Sequence, residues 1–235
     1  MLPKIKAPMF DVVVPSNKKK VQVRPFDVRE EKILLMARQS GEPADFFKSI
    51  SQVVQNCVVD NDFDALRQPL FDVSFIFTKL RAISISDVAK VSYRDEDGEV
   101  YSFDVDLNKI TVKFPENVNM TFKVNKDISF TMSYPPTSVY TKSEFFDLSD
   151  DKVFDTLVCA SMQKIFEGET VHDLIDAKPE EIMDFVNSLP AKFFNELRDF
   201  FLDIPTIYNK IEYKNKEGKD VVVEQKSIED FFMFG

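Results

Sequence analysis

Apolar and polar positions along this chain switch between a period of two and a period near 3.6 residues, and the switches outline the elements. Met9 to Val14 and Val21 to Phe26 read as strands flanking the polar stretch Ser16 to Lys20, a hairpin. Asp27 then offers an N-cap with Glu30 three residues on, a capping-box pattern. Ile33, Leu34 and Ala37 continue a helical stripe toward Gly41. Pro43 sits where a first-turn proline belongs, and Phe46, Phe47, Ile50, Val53, Val54, Cys57 and Val58 follow at helical spacing. A third helix is expected from Asp72, with Val73, Ile76, Phe77, Leu80 and Ile83 inward.

The period then returns to two. Val88 to Arg94 and Glu99 to Val105 alternate around Asp95-Glu96-Asp97-Gly98, a hairpin signal. Ile110 to Phe114, Met120 to Val124 and Ile128 to Tyr134 read as further strands, closed by Pro135-Pro136. From Ser149 the pattern predicts helices again. Val153, Phe154, Leu157, Val158, Met162 and Ile165 form one stripe, Pro179 starts a short helix, and Pro190 opens one carrying Phe193, Phe194, Leu197, Phe200, Phe201 and Ile204. A last hairpin joins Ile207–Tyr213 to Asp220–Glu224, before a Ser227-capped turn ending in Phe231-Phe232-Met233-Phe234. The expected class is α+β: an N-terminal hairpin and helices, a central antiparallel β region, and C-terminal helices ending in a hairpin. Two domains are expected, 1–136 with the central strands and 137–235 mainly helical.

The two longer hairpins resemble each other. Lys90 to Glu99 and Lys210 to Lys219 share Lys, Tyr, a basic residue and Gly at the same offsets. Shared turn chemistry explains this, and so does a duplicated helix–hairpin unit.

Composition narrows the chemistry. The 235 residues hold 30 Lys and Arg against 40 Asp and Glu, for a net charge of −10. Residues 1–24 alone are +5, so the remainder is strongly acidic and would repel a phosphate backbone; nucleic acid is not an expected partner. Lys18, Lys19 and Lys20 read either as a solvated turn or as a basic contact for an acidic protein surface. Five glycines and no phosphate-cradling motif argue against a nucleotide enzyme. No apolar run is long enough for a membrane span, and the first residues lack the apolar core of a secretory signal. Two cysteines without such a signal suit a reducing compartment.

Candidate catalytic residues are few. His172 beside Asp173 could serve as an oriented base, which makes a small hydrolase the minor alternative. Neither Cys57 nor Cys159 has local sequence suggesting activation, and one histidine with two cysteines does not make a zinc site of usual spacing. A carboxylate-only Ca²⁺ or Mg²⁺ site stays open, although no EF-hand spacing exists. No catalytic, cofactor or metal residue is therefore assigned, and no cofactor is expected. Most of the 24 phenylalanines sit at core spacing. Phe231, Phe232 and Phe234 are the exception: this aromatic run is either docked on its own domain or reserved for a partner.

The order of motifs is itself informative. Leu2-Pro3-Lys4-Ile5 is followed by Val23-Arg24-Pro25-Phe26-Asp27-Val28-Arg29-Glu30-Glu31-Lys32-Ile33-Leu34-Leu35-Met36-Ala37, then by Asn56-Cys57 and Leu80-Arg81-Ala82-Ile83-Ser84. Phe200-Phe201-Leu202-Asp203-Ile204-Pro205 and Ile228-Glu229-Asp230-Phe231-Phe232 stand near the end. The chain thereby resembles the baseplate hub proteins of T-even-type contractile-tailed phages, a family that includes the hub assembly chaperone. Some relatives carry cysteine pairs in the hairpins that correspond here to Tyr93–Tyr101 and Tyr213–Val221; none is present, so a metal-ribbon role does not carry over. The resemblance implies a non-enzymatic part in tail assembly, with other baseplate hub or tail proteins as partners. It implies action as an assembly chaperone in the infected host cytoplasm, or retention in the virion as a structural hub component.

Overall fold

The computed structural model describes residues 5–96, 98–116 and 118–232. The class is α+β, with several small antiparallel sheets. The chain divides into two compact units, one built from residues 1–113 and 205–235, the other from residues 114–204.

In the first unit, β1 (Phe10–Val13) and β2 (Lys20–Val23) pair antiparallel, from Phe10 opposite Val23 to Val13 opposite Lys20. Three helices follow: α1 (Val28–Ser40), α2 (Pro43–Cys57) and α3 (Leu70–Ser84). Both signals expected for α1 are used. Asp27 caps it through the Arg29 N–H at 2.8 Å, and the Glu30 carboxylate reaches back to the Asp27 N–H at 2.9 Å. Gly41 ends the helix in a left-handed conformation. Along α2 the expected stripe is the buried one, with Phe47, Ile50, Val53, Val54 and Cys57 all inside. The hairpin is fastened to the end of α2 by backbone bonds, Arg24 N–H to the Cys57 carbonyl and Val59 N–H to the Gln22 carbonyl, each 2.9 Å.

The two similar hairpins belong to this unit. They are β3 (Val88–Arg94) with β4 (Val100–Asp106), and, after the second unit, β10 (Thr206–Lys214) with β11 (Asp220–Gln225). Their turns carry the same backbone bonds. Asp95 N–H donates to the Glu99 carbonyl and Gly98 N–H to that of Asp95; Asn215 N–H donates to the Lys219 carbonyl and Gly218 N–H to that of Asn215. The turns meet: the Tyr101 and Tyr213 rings are 4.8 Å apart, the Lys216 N–H donates to the Tyr101 hydroxyl at 2.8 Å, and Lys216 pairs with Glu99 at 2.6 Å. Strand β5 (Thr111–Lys113) pairs antiparallel with the start of β10. The short helix α8 (Glu229–Phe232) packs against β3.

In the second unit, β6 (Thr121–Lys123), β7 (Ile128–Met132), β8 (Met162–Glu167) and β9 (Thr170–Asp173) form a four-stranded antiparallel sheet in that order. The helices α4 (Ser143–Phe146), α5 (Asp150–Ser161), α6 (Pro179–Ser188) and α7 (Lys192–Leu202) complete it. Its core is phenylalanine-rich: Phe122 stacks on Phe130 with centroids 5.0 Å apart, and Phe193, Leu197 and Phe200 of α7 close over them with Ile182 of α6. Aromatic packing of this kind adds to the burial free energy of each ring.

One expectation is corrected. Met162 and Ile165 do not continue a helical stripe: α5 stops at Ser161, and Met162–Glu167 is strand β8. Its backbone pairs with β7 on one side and β9 on the other, so cross-strand partners override the local periodicity. The compact units divide the chain after residue 113 and again after residue 204. Because β7 pairs with β8 and β5 with β10, residues 114–136 belong with the following helices, and the last hairpin belongs with the first half.

Candidate functional site

The hairpin turn bearing Lys18, Lys19 and Lys20 is fastened from within. Val14 N–H donates to the Lys19 carbonyl at 2.8 Å, Lys18 N–H to the Val14 carbonyl at 2.9 Å, and Lys19 N–H to the Asn17 side chain at 2.9 Å. Lys18 itself adopts φ 60°, a left-handed conformation that non-glycine residues enter at a cost. Below the turn, Ser16 donates its N–H to Asp72 Oδ1 at 2.9 Å and its hydroxyl to Asp72 Oδ2. Asp72 lies in the first turn of α3 and is fully buried. Burial pushes its carboxyl up to about 6, the bonds from Ser16 and the nearby Lys18 charge opposing that rise. All three lysines are exposed. Lys20 pairs with Asp11 across the hairpin at 3.2 Å, so the basic charge is partly matched on its own unit.

The sequence-level catalytic candidates are dispersed. His172 is on β9, half exposed, and its Nε2 is 3.2 Å from Glu167 Oε2 across the β8–β9 pairing. Asp173 instead lies 3.8 Å from Lys164 and accepts the Ile175 N–H. Neighbours in a strand project to opposite faces, so the adjacent acid is not the one that meets the imidazole. The Cys57 thiol is buried and pushed up to about 12, chiefly by desolvation. Burial and the nearby Asp155 raise the Cys159 thiol as well, and its Sγ faces the Pro179 carbonyl at 3.6 Å. Neither thiol is poised as a thiolate. Among the described residues, no group of three or more His, Cys, Asp or Glu is placed to hold a metal ion, and no helix is long and apolar enough to cross a membrane.

Phe231 is buried, and α8 sets it at the wall of a cavity of about 460 Å³. Phe232 closes α8, and Phe234 lies outside the described residues. The rest of that wall comes from positions the sequence reading did not join. Glu31, Leu34, Leu35 and Arg38 of α1 share one helical face, and Phe77 and Arg81 face the same space from α3. The signal was present as i, i+3, i+4, i+7 spacing, but the partner helix and strand that make it concave are distant in sequence. The second unit has its own opening of about 610 Å³, walled by Phe145, Leu148 and Met183 and edged by Glu144, Asp155 and Glu180.

The site features are thus a clamped basic turn in an acidic α+β chain and two openings lined by apolar and charged side chains. The family described as T4 bacteriophage base plate protein matches residues 7–233, nearly the whole chain. This chain belongs to that family, which places it among phage baseplate proteins. No curated protein and no solved structure matches it.

Proposed function

We propose that this baseplate-family protein is an assembly factor of chaperone type, a non-catalytic binder that holds hub subunits while the baseplate is built in the infected bacterial cytoplasm. The observation that carries this reading is the clamped turn: Lys18 and Lys19 are presented on a hairpin held by buried Asp72, in a chain of net charge −10. A local basic contact on an acidic body favours complementary acidic surfaces and disfavours others, and such charge steering governs encounter more than permanence. That profile suits reversible binding. The raised thiols and the solvent-exposed His172–Glu167 pair support the non-catalytic part of the reading.

Mass spectrometry of purified virions separates the transient role from retention as a structural hub component. The protein is expected in lysates of infected cells, bound to hub subunits, and missing from mature particles. Stoichiometric amounts in the particles would overturn the chaperone reading in favour of the structural one. A His172→Ala variant is expected to assemble tails normally; failure with the fold intact would point to the hydrolase alternative.

A further inference from the structure

We infer that the cavity formed by α1, α3, β3 and Phe231 receives a peptide segment of a partner tail protein in which an acidic residue adjoins a large apolar one. The inference deepens the proposed function by assigning partner chemistry to a second surface. It rests on the chain being a binder of tail proteins, and not on whether the binding is transient.

Charge is the first argument. In a chain of net charge −10, this cavity is lined by Arg38, Arg81 and Lys90 against Glu31 alone. Arg81 is the centre of it. Its guanidinium is partly buried, its Nη1 is enclosed with no hydrogen-bond partner, and desolvation moves its pKa down, Glu31 only partly opposing. A buried donor with an unmade bond is an unmet cost that an arriving acceptor relieves. A guanidinium is matched best by a carboxylate, which can take two parallel N–H bonds.

The second argument is the apolar part. Leu35 (50% exposed), Ile85 (53%) and Val88 (39%) stand at this cavity, large side chains left in water. A small inorganic anion would leave them uncovered, whereas a peptide carrying a Phe or Leu beside its acid would cover them and reach Arg81 together. The volume of about 460 Å³ is within the range of sites that take side-chain-sized groups. Third, an aromatic side chain of the protein itself already stands at this surface. The short helix carrying Phe231 packs on β3 and supplies Phe231 as one wall, so a large aromatic side chain is compatible with this surface.

The test is selection from a randomised short-peptide library on the full-length protein, followed by fluorescence anisotropy with the selected synthetic peptides. Enriched sequences are expected to place Asp or Glu within a residue or two of Phe, Leu or Ile. Arg81→Gln and Leu35→Glu are each expected to weaken binding by roughly tenfold or more, and Lys216→Gln, on the distant hairpin turn, to leave it unchanged. Should Arg81→Gln not fold, the exposed position Leu35 decides. No enriched sequence, a consensus without an acid, or affinity retained in the folded variants would overturn the inference. Failure here leaves the virion measurement untouched, and a virion-retained protein could still show the peptide site.

Discussion

Arg24 Nη2 lies 2.9 Å from Glu30 Oε1, and Glu30 is 2% exposed. The other Glu30 oxygen accepts the Asp27 N–H of the capping box, and the Asn56 side chain approaches Oε1 at 3.4 Å. One carboxylate thus joins the strand leaving the hairpin, the start of α1 and the end of α2. The same residues form the Arg-Pro-Phe…Glu-Glu block that marks the family resemblance, so here the family signal and a structural junction coincide.

Removing one partner of this pair leaves a buried charge uncompensated. Arg24→Ala is expected to destabilise the first unit by about 3 kcal/mol. The double variant Arg24→Met with Glu30→Gln should recover part of that loss, since it removes both charges. Urea denaturation of the wild type and the two variants checks it; a loss below about 1 kcal/mol for Arg24→Ala would show that Asn56 and the cap suffice.

Asp72 makes the hairpin clamp pH-sensitive. Its folded pKa, raised by burial to about 6, exceeds the ordinary 3.8, so the folded state binds the proton more tightly than the unfolded one. The resulting stability is fully present below pH 3.8 and is lost as pH rises through about 6. Between those limits the wild type should lose about 3 kcal/mol that Asp72→Asn does not lose. Comparing the pH dependence of melting for the two proteins from pH 4 to 7.5 measures this; parallel curves would sink it.

Phe130 is wholly buried between Phe122 and the α6 and α7 side chains, with Phe185 and Phe193 rings 5.9 Å away. Phe130→Ala should cost about 4 kcal/mol through lost burial and the cavity left behind. Phe130→Leu should cost markedly less. Equal losses for the two would show that the site collapses around either side chain.

Both thiols are held above their ordinary pKa, but to different depths. In the native protein at pH 8, iodoacetamide should alkylate Cys159 slowly and leave Cys57 untouched. In urea the two should react alike. Rapid native labelling of Cys57 would contradict its burial.

The turn glycines offer a paired test. Gly98 and Gly218 sit at φ 80° and 81°, with open space where a Cβ would go. Alanine at either should cost about 1 kcal/mol from backbone strain alone. Near-equal values would support the structural equivalence of the two hairpins, and a large difference would argue against it.

Local chemistry was legible in the chain itself. The Asp27–Glu30 cap, Pro43 and Pro179 at helix starts, the buried stripe of α2, and the hairpins turning at Gly98 and Gly218 depend on residues within a few positions of one another, so the sequence alone determined them. The +5 segment and the motif order likewise pointed to a charge contrast and to the baseplate family. Tertiary pairing decided the rest. Whether Met162 to Glu167 is helix or strand depends on β7, and the domain division depends on β5 finding β10 across an entire intervening unit. His172 meets Glu167 rather than its neighbour Asp173 because strand neighbours point to opposite faces. The cavity around Arg81 exists only once two helix faces, a strand and Phe231 converge. Such long-range contacts carry no local periodic signature, because their energy is gained only after distant segments have been brought together.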